Sequence, residues 1–178
     1  KFASEQYFRG ACTEAELQET AKTLRLANLT QQKESGLDWI PSNDFSFYDG
    51  MLDTAFLLNA VPKRYRELGL APLDTYFAAA RGYQGDKGDV KALAMKKWFN
   101  TNYHYMVPEL EDGTAICLAD EKPFHLYQEA KAAGVETKPV VIGAYTFLKL
   151  AVYNGKKTAA DFVADIVKAY ADLLQKFQ

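Results

Sequence analysis

Three short apolar runs, separated by longer stretches with helical spacing, do most to limit what this chain can fold into. The runs are Leu37-Asp38-Trp39-Ile40-Pro41, Tyr103 to Val107, and Pro139-Val140-Val141-Ile142. The last is apolar without interruption, as in a parallel strand buried on both faces. Strands that alternate with helices point to βα units and a parallel sheet. A closed eight-stranded barrel usually needs about 200 residues or more. At 178 residues and with so few strands, the chain reads as one partial domain over residues 1–178.

Helix signals divide the rest. Residues 1–10 read as a helix. Thr13 with Glu16 three residues on forms a capping box, and Leu17, Ala21, Leu24 and Leu29 give the next helix its apolar face until Gly36. Helices are expected at 51–60, through Arg66, at 74–81 and at 90–100, and from Lys122 to Ala133 before Gly134. Residues 83–89 are polar with two glycines, Gly85 and Gly88, and read as a mobile loop, and 110–114 as an acidic turn. Thr158 opens the last helix, with Phe162, Ile166, Tyr170, Leu173 and Leu174 on one face.

Composition narrows the function. A net charge of -2 gives no field to draw nucleic acid or an anionic membrane. No apolar run approaches the roughly 20 residues of a membrane span, and the N-terminus does not look like a signal peptide. Cys12 and Cys117 stand far apart, which suits free thiols in a reducing cytoplasm. His104 and His125 are the only imidazoles. They and the cysteines show none of the spacing a zinc site uses, so no metal is expected in this segment. No phosphate loop or nucleophile elbow is present.

Strand ends supply active-site groups in βα architectures. Three clusters stand at such ends: Asn43, Asp44, Tyr48 and Asp49; Tyr103, His104, Tyr105 and Glu109; and Gly143, Tyr145 and Thr146. Asp44, Tyr48, Asp49, Tyr103, His104 and Tyr105 are candidate cleft-lining residues. The plainer reading of Asp44 or Asp49 is an N-cap for the following helix.

The run Lys97-Trp98-Phe99-Asn100-Thr101-Asn102-Tyr103-His104-Tyr105-Met106-Val107-Pro108-Glu109 resembles a signature of the N-terminal domain of cobalamin-independent methionine synthase. Ile40 to Asp49, Leu73 to Phe77 with Ala80-Arg81-Gly82, and Lys138 to Gly143 are similar to further segments of that family, in the same order. The resemblance implies a partial (βα)8 barrel, roughly the first half of the N-terminal barrel. The family pattern begins upstream of Lys1, so it implies that the first strand is missing here. The exposed half-barrel is expected to lean on the remainder of the polypeptide or on a second copy.

The resemblance also implies an activity for the full-length enzyme. It would transfer a methyl group from 5-methyltetrahydropteroyltri-L-glutamate to L-homocysteine, with zinc in a C-terminal barrel and no cofactor in this segment. The isolated segment would be inactive. Lys97 and Lys1 would bind the folate's polyglutamate tail. Two departures stand out: the family's Gly-Pro-Val-Thr is Gly143-Ala144-Tyr145-Thr146, and a helix tryptophan is Leu29. Two rivals remain at this stage. One is a free-standing, non-catalytic binding or assembly module. The other is a carbohydrate-active barrel using Asp44, Asp49 or Glu109 with Trp98 as a sugar platform.

Overall fold

The computed structural model describes residues 1–178 as a mixed α/β chain in two compact units. The first unit is Lys1–Phe47 with Pro123–Val140; the second is Tyr48–Lys122 with Val141–Gln178. No helix is long and apolar enough to cross a membrane.

In the first unit, helix α1 (Phe2–Phe8) precedes α2 (Glu14–Glu34). The expected capping box is present. Thr13 Oγ1 accepts the Glu16 N–H at 3.3 Å, and Glu16 Oε2 accepts the Thr13 N–H at 2.7 Å. Gly36, at φ 76°, ends the helix. Leu17, Ala21 and Leu29 are buried as expected, but Leu24 is 54% exposed. It stands three residues from Ala21 yet falls beyond the edge of the packed stripe.

Strand β1 is only Pro41–Ser42. The expected buried strand at 37–41 is therefore corrected: Ile40 is buried, while Leu37 and Trp39 are exposed. Residues 37–40 lie outside the strand, and of the three only Ile40 meets Leu29, Ala130 and Val135. The helix expected after Lys122 is also found, running to Ala132 before Gly134.

In the second unit, α3 (Gly50–Leu57) is buried nearly all round. A single turn, α4 (Lys63–Arg66), and α5 (Pro72–Arg81) follow. Two expectations fail here. Residues 83–89 form a hairpin, β2 (Tyr83–Gly85) against β3 (Gly88–Val90), rather than an open loop. Gly88 takes φ 145°, a conformation that suits glycine, and Tyr83 donates to Asp86 Oδ1 at 2.8 Å across the turn. Residues 90–100 are extended rather than helical. Leu93 N–H bonds Ala79 O, Val107 N–H bonds Ala94 O, and Met95–Lys97 forms strand β4. Long-range pairing overrides the helix propensity of Lys91-Ala92-Leu93-Ala94.

The strand expected at 103–107 is β5 (His104–Met106), antiparallel to β4. The acidic turn begins as a strand, β6 (Glu109–Glu111). Helix α6 (Lys122–Ala132) and strand β7 (Lys138–Pro139) precede α7 (Ala144–Leu150) and β8 (Val152–Asn154), neither of which was anticipated. Thr158 does open the last helix, through a 3-10 turn (Ala159–Phe162) into α8 (Val163–Lys176). Phe162, Ile166 and Leu173 are buried; Leu174 is 62% exposed.

The parallel pairs are β1 with β7 and β6 with β8; all four sheets have two strands. The strands do not join into one barrel sheet. The expected buried run at 139–142 shortens to β7, and Val140 is half exposed. The core of the second unit gathers Met51, Leu58, Val107, Leu110, Phe147, Phe162 and Ile166.

Candidate functional site

The β4–β5 hairpin carries the side chains with the most to offer a ligand. Its register pairs Met95 with Met106, Lys96 with Tyr105 and Lys97 with His104. Trp98 N–H bonds Tyr103 O at 2.7 Å, and Thr101 Oγ1 donates to Trp98 O at 2.6 Å, closing the tip. Phe99 sits at φ 52°, where a bulky residue is strained. Trp98 meets Phe99 and Tyr105 edge-on at 5.0 and 5.8 Å. Lys96, Lys97 and His104 are exposed, as are Phe99 and Tyr103. The hairpin thus offers two ammonium groups beside open aromatic faces. Tyr105 is buried, with its hydroxyl on Leu150 O at 3.3 Å.

Behind the hairpin stands Asp49, the N-cap of α3. Its Oδ1 accepts Met51 and Leu52 N–H at 2.7 and 3.3 Å, and its Oδ2 accepts Met106 N–H at 3.1 Å. Burial raises its carboxyl to about 6 against the pull of those three N–H groups, and Asp53 adds like charge. Tyr76, buried beside Asp53, accepts the exposed Tyr48's N–H at 3.2 Å. Burial first, then the carboxylate of Asp53, pushes the Tyr76 hydroxyl well above its ordinary range.

Glu109 is committed elsewhere. Arg64 grips it with two bonds, at 2.5 and 2.9 Å, and Asn154 Nδ2 adds a third at 3.1 Å. Nothing in the sequence signals this set, since Arg64 and Asn154 each lie forty-five residues from Glu109. Of the last cluster, Gly143 caps α7, Tyr145 is 75% exposed and Thr146 is half-buried.

Asn43 and Asp44 belong to the first unit, where they line a cavity of about 100 Å³ with Arg25, Ser42, Phe45 and Glu129. Arg25 is paired with Glu129 at 2.7 and 2.8 Å and lies over the Phe45 ring. Asn43, at φ 58°, donates to Val140 O at 2.7 Å. Lys1 is exposed at the start of α1. No three His, Cys, Asp or Glu residues come together in a way that could hold a metal ion.

Short parallel ladders together with helices make this a mixed α/β chain. The profile described as "Cobalamin-independent synthase, N-terminal domain" matches residues 1–178. Three similar proteins all bear the name 5-methyltetrahydropteroyltriglutamate--homocysteine methyltransferase. That of Streptococcus thermophilus is 53% identical over 176 residues, covering 99% of this chain and 24% of the relative. That of Campylobacter jejuni subsp. doylei is 52% identical, with 99% and 23% covered. That of Bifidobacterium animalis subsp. lactis is 52% identical over 184 residues, with 99% and 24% covered. The chain belongs to the cobalamin-independent synthase family, in the region of its N-terminal domain. It spans about a quarter of the length of these relatives.

Proposed function

We propose that this chain is the N-terminal part of a methyltransferase that moves a methyl group from 5-methyltetrahydropteroyltriglutamate to homocysteine. Its own share is to scaffold the donor's site and to hold the tri-glutamate tail. Family membership across the whole chain supports the reaction.

One observation carries the tail assignment. Lys97 is exposed on the hairpin, and no carboxylate of this chain pairs with it. A free ammonium on a flexible stem suits a tethered polyanion. Lys1, exposed at the start of α1, is the second proposed contact. Tyr103 and His104 flank Lys97's site, and Asp44 and Tyr48, both exposed, are proposed to line the donor's cleft. Tyr105 and Asp49 support it from behind.

The fold reading is a partial (βα)8 barrel. Beside the β1–β7 ladder, Ile40 packs with Leu29, Ala130 and Val135, while Leu37, Trp39 and Val140 stay 52%, 71% and 49% exposed. Parallel sheets normally have both faces covered. A barrel completed by further polypeptide would cover this one. The zinc that this chemistry implies does not fit here, because no ligand set converges. The metal-dependent step is therefore assigned to polypeptide outside these residues.

The test is Lys97→Ala in the full-length protein. Loss of one ammonium–carboxylate contact should raise KM for the tri-glutamate donor about tenfold, with far less effect on the mono-glutamate donor. Equal effects on both donors would remove the tail assignment.

A further inference from the structure

Asp49 does more than cap a helix. Val107 N–H points to Ala94 O and Trp98 N–H to Tyr103 O, so alternate backbone groups of the hairpin face inward across the ladder. In an antiparallel pair the residues between them face away from the partner strand. Met106, opposite Met95, is such a residue, and its N–H points off the outer edge of β5. Asp49 Oδ2 takes that N–H at 3.1 Å, while Oδ1 takes the Met51 and Leu52 N–H groups in the first turn of α3. One carboxylate therefore satisfies an open helix end and an open strand edge together. Met106 and Met51, on the two bonded elements, are each 1% exposed, so the link lies in packed surroundings.

We infer that Asp49 is a positioning residue that locks the Lys97 hairpin to the start of α3. The lock fixes β5 in place. Lys97 sits two ladder positions along from the Met95–Met106 pair, on a strand held by β5 alone in its sheet. Without the lock the hairpin keeps its own ladder but loses its register against α3. The ammonium then spreads over more positions, and a multi-carboxylate tail meets a less organised site. This functional arm rests on the tail reading above; the lock itself does not.

Two variants separate lock from cap. Asparagine and serine both cap helices well. The Asp49→Asn side chain keeps one oxygen for α3 but offers an NH₂ where Met106 N–H needs an acceptor. The Asp49→Ser side chain caps α3 but is too short to reach β5. In the full-length protein, amide exchange in peptides containing Met106 should quicken about tenfold in both variants. KM for the tri-glutamate donor should rise several-fold more than for the mono-glutamate donor, with kcat within about twofold. Lys97→Ala is measured alongside. Unchanged exchange in both variants overturns the lock. So does a uniform effect on the two donors when Lys97→Ala separates them. If Lys97→Ala itself fails to separate them, the tail reading falls and exchange alone decides: faster exchange upholds the lock, unchanged exchange removes it.

Discussion

Asp112 reaches across to the backbone just after Gly155, and the glycine leaves it the room to do so. Its carboxylate accepts Lys156 N–H at 2.8 Å and Lys157 N–H at 2.9 Å. A Cβ on Gly155 would lie 2.2 Å from Asp112 Oδ1. The pair ties the turn after β6 to the end of β8, the two strands of one parallel ladder. Gly155→Ala should therefore expel the carboxylate and cost about 1–2 kcal/mol, read by urea denaturation. The carboxylate is the mobile partner, so the damage should be the loss of its bonds rather than a steric block. Asp112→Ala should cost a similar amount, and the double variant little more than either. Full additivity would show that the two residues act separately.

The half-buried Asp49 carboxylate gives stability a pH dependence of unusual sign. Folding raises it from 3.8 to about 6, chiefly through burial. The native state then holds the proton more tightly than the unfolded chain. Its contribution is fully present below about 4 and is lost as pH rises through about 6. Glu16 and Asp161 pull the other way, because hydrogen bonds from Thr13 and Thr158 lower them. The measurement is thus a difference. The stability of Asp49→Asn minus that of the parent should climb between pH 4 and 6.5, by on the order of 1–2 kcal/mol. A flat difference would place the native carboxyl at its ordinary value.

Local signals in the sequence survived into the structure where the chemistry was local. The Thr13–Glu16 capping box needs only three residues of spacing, and both reciprocal bonds are there. Thr13→Ala should lower Tm by about 2–4 °C, measured by thermal denaturation. The helix expected at 90–100 failed for the opposite reason. Nothing in Lys91-Ala92-Leu93-Ala94 announces that Ala79 and Val107 will claim its backbone. The hairpin at 83–89 was hidden by its glycines, which suit a tight turn as well as an open loop.

The candidate site divides in the same way. His104 and Lys97 were legible as residues, and their pairing across β4–β5 follows once the strand at 103–107 is recognised. Asp49 was legible as a cap, because a capping aspartate precedes its helix directly. Its second bond, to Met106, joins positions fifty-seven residues apart and has no local trace. Glu109 shows the same limit. Its place beside a strand end suggested chemistry, yet Arg64 and Asn154 occupy it.

That occupation supports one more prediction. Arg64 grips Glu109 with two parallel bonds, donates to the Tyr65 hydroxyl at 2.9 Å and lies 4.4 Å from the Tyr65 ring centre. Tyr65 is fully buried, and its hydroxyl donates to Lys91 O at 2.6 Å. The guanidinium therefore serves as a fork toward Glu109 and a plate over Tyr65 at once. Lysine keeps the charge but supplies neither the fork nor the plate. Arg64→Lys should destabilise by about 1–2 kcal/mol, although the residue is about one-third exposed and the charge is unchanged. Raising ionic strength should leave that deficit nearly intact, because the lost term is geometric rather than long-range. A deficit that disappears in salt would mean that Glu109 is held by charge alone.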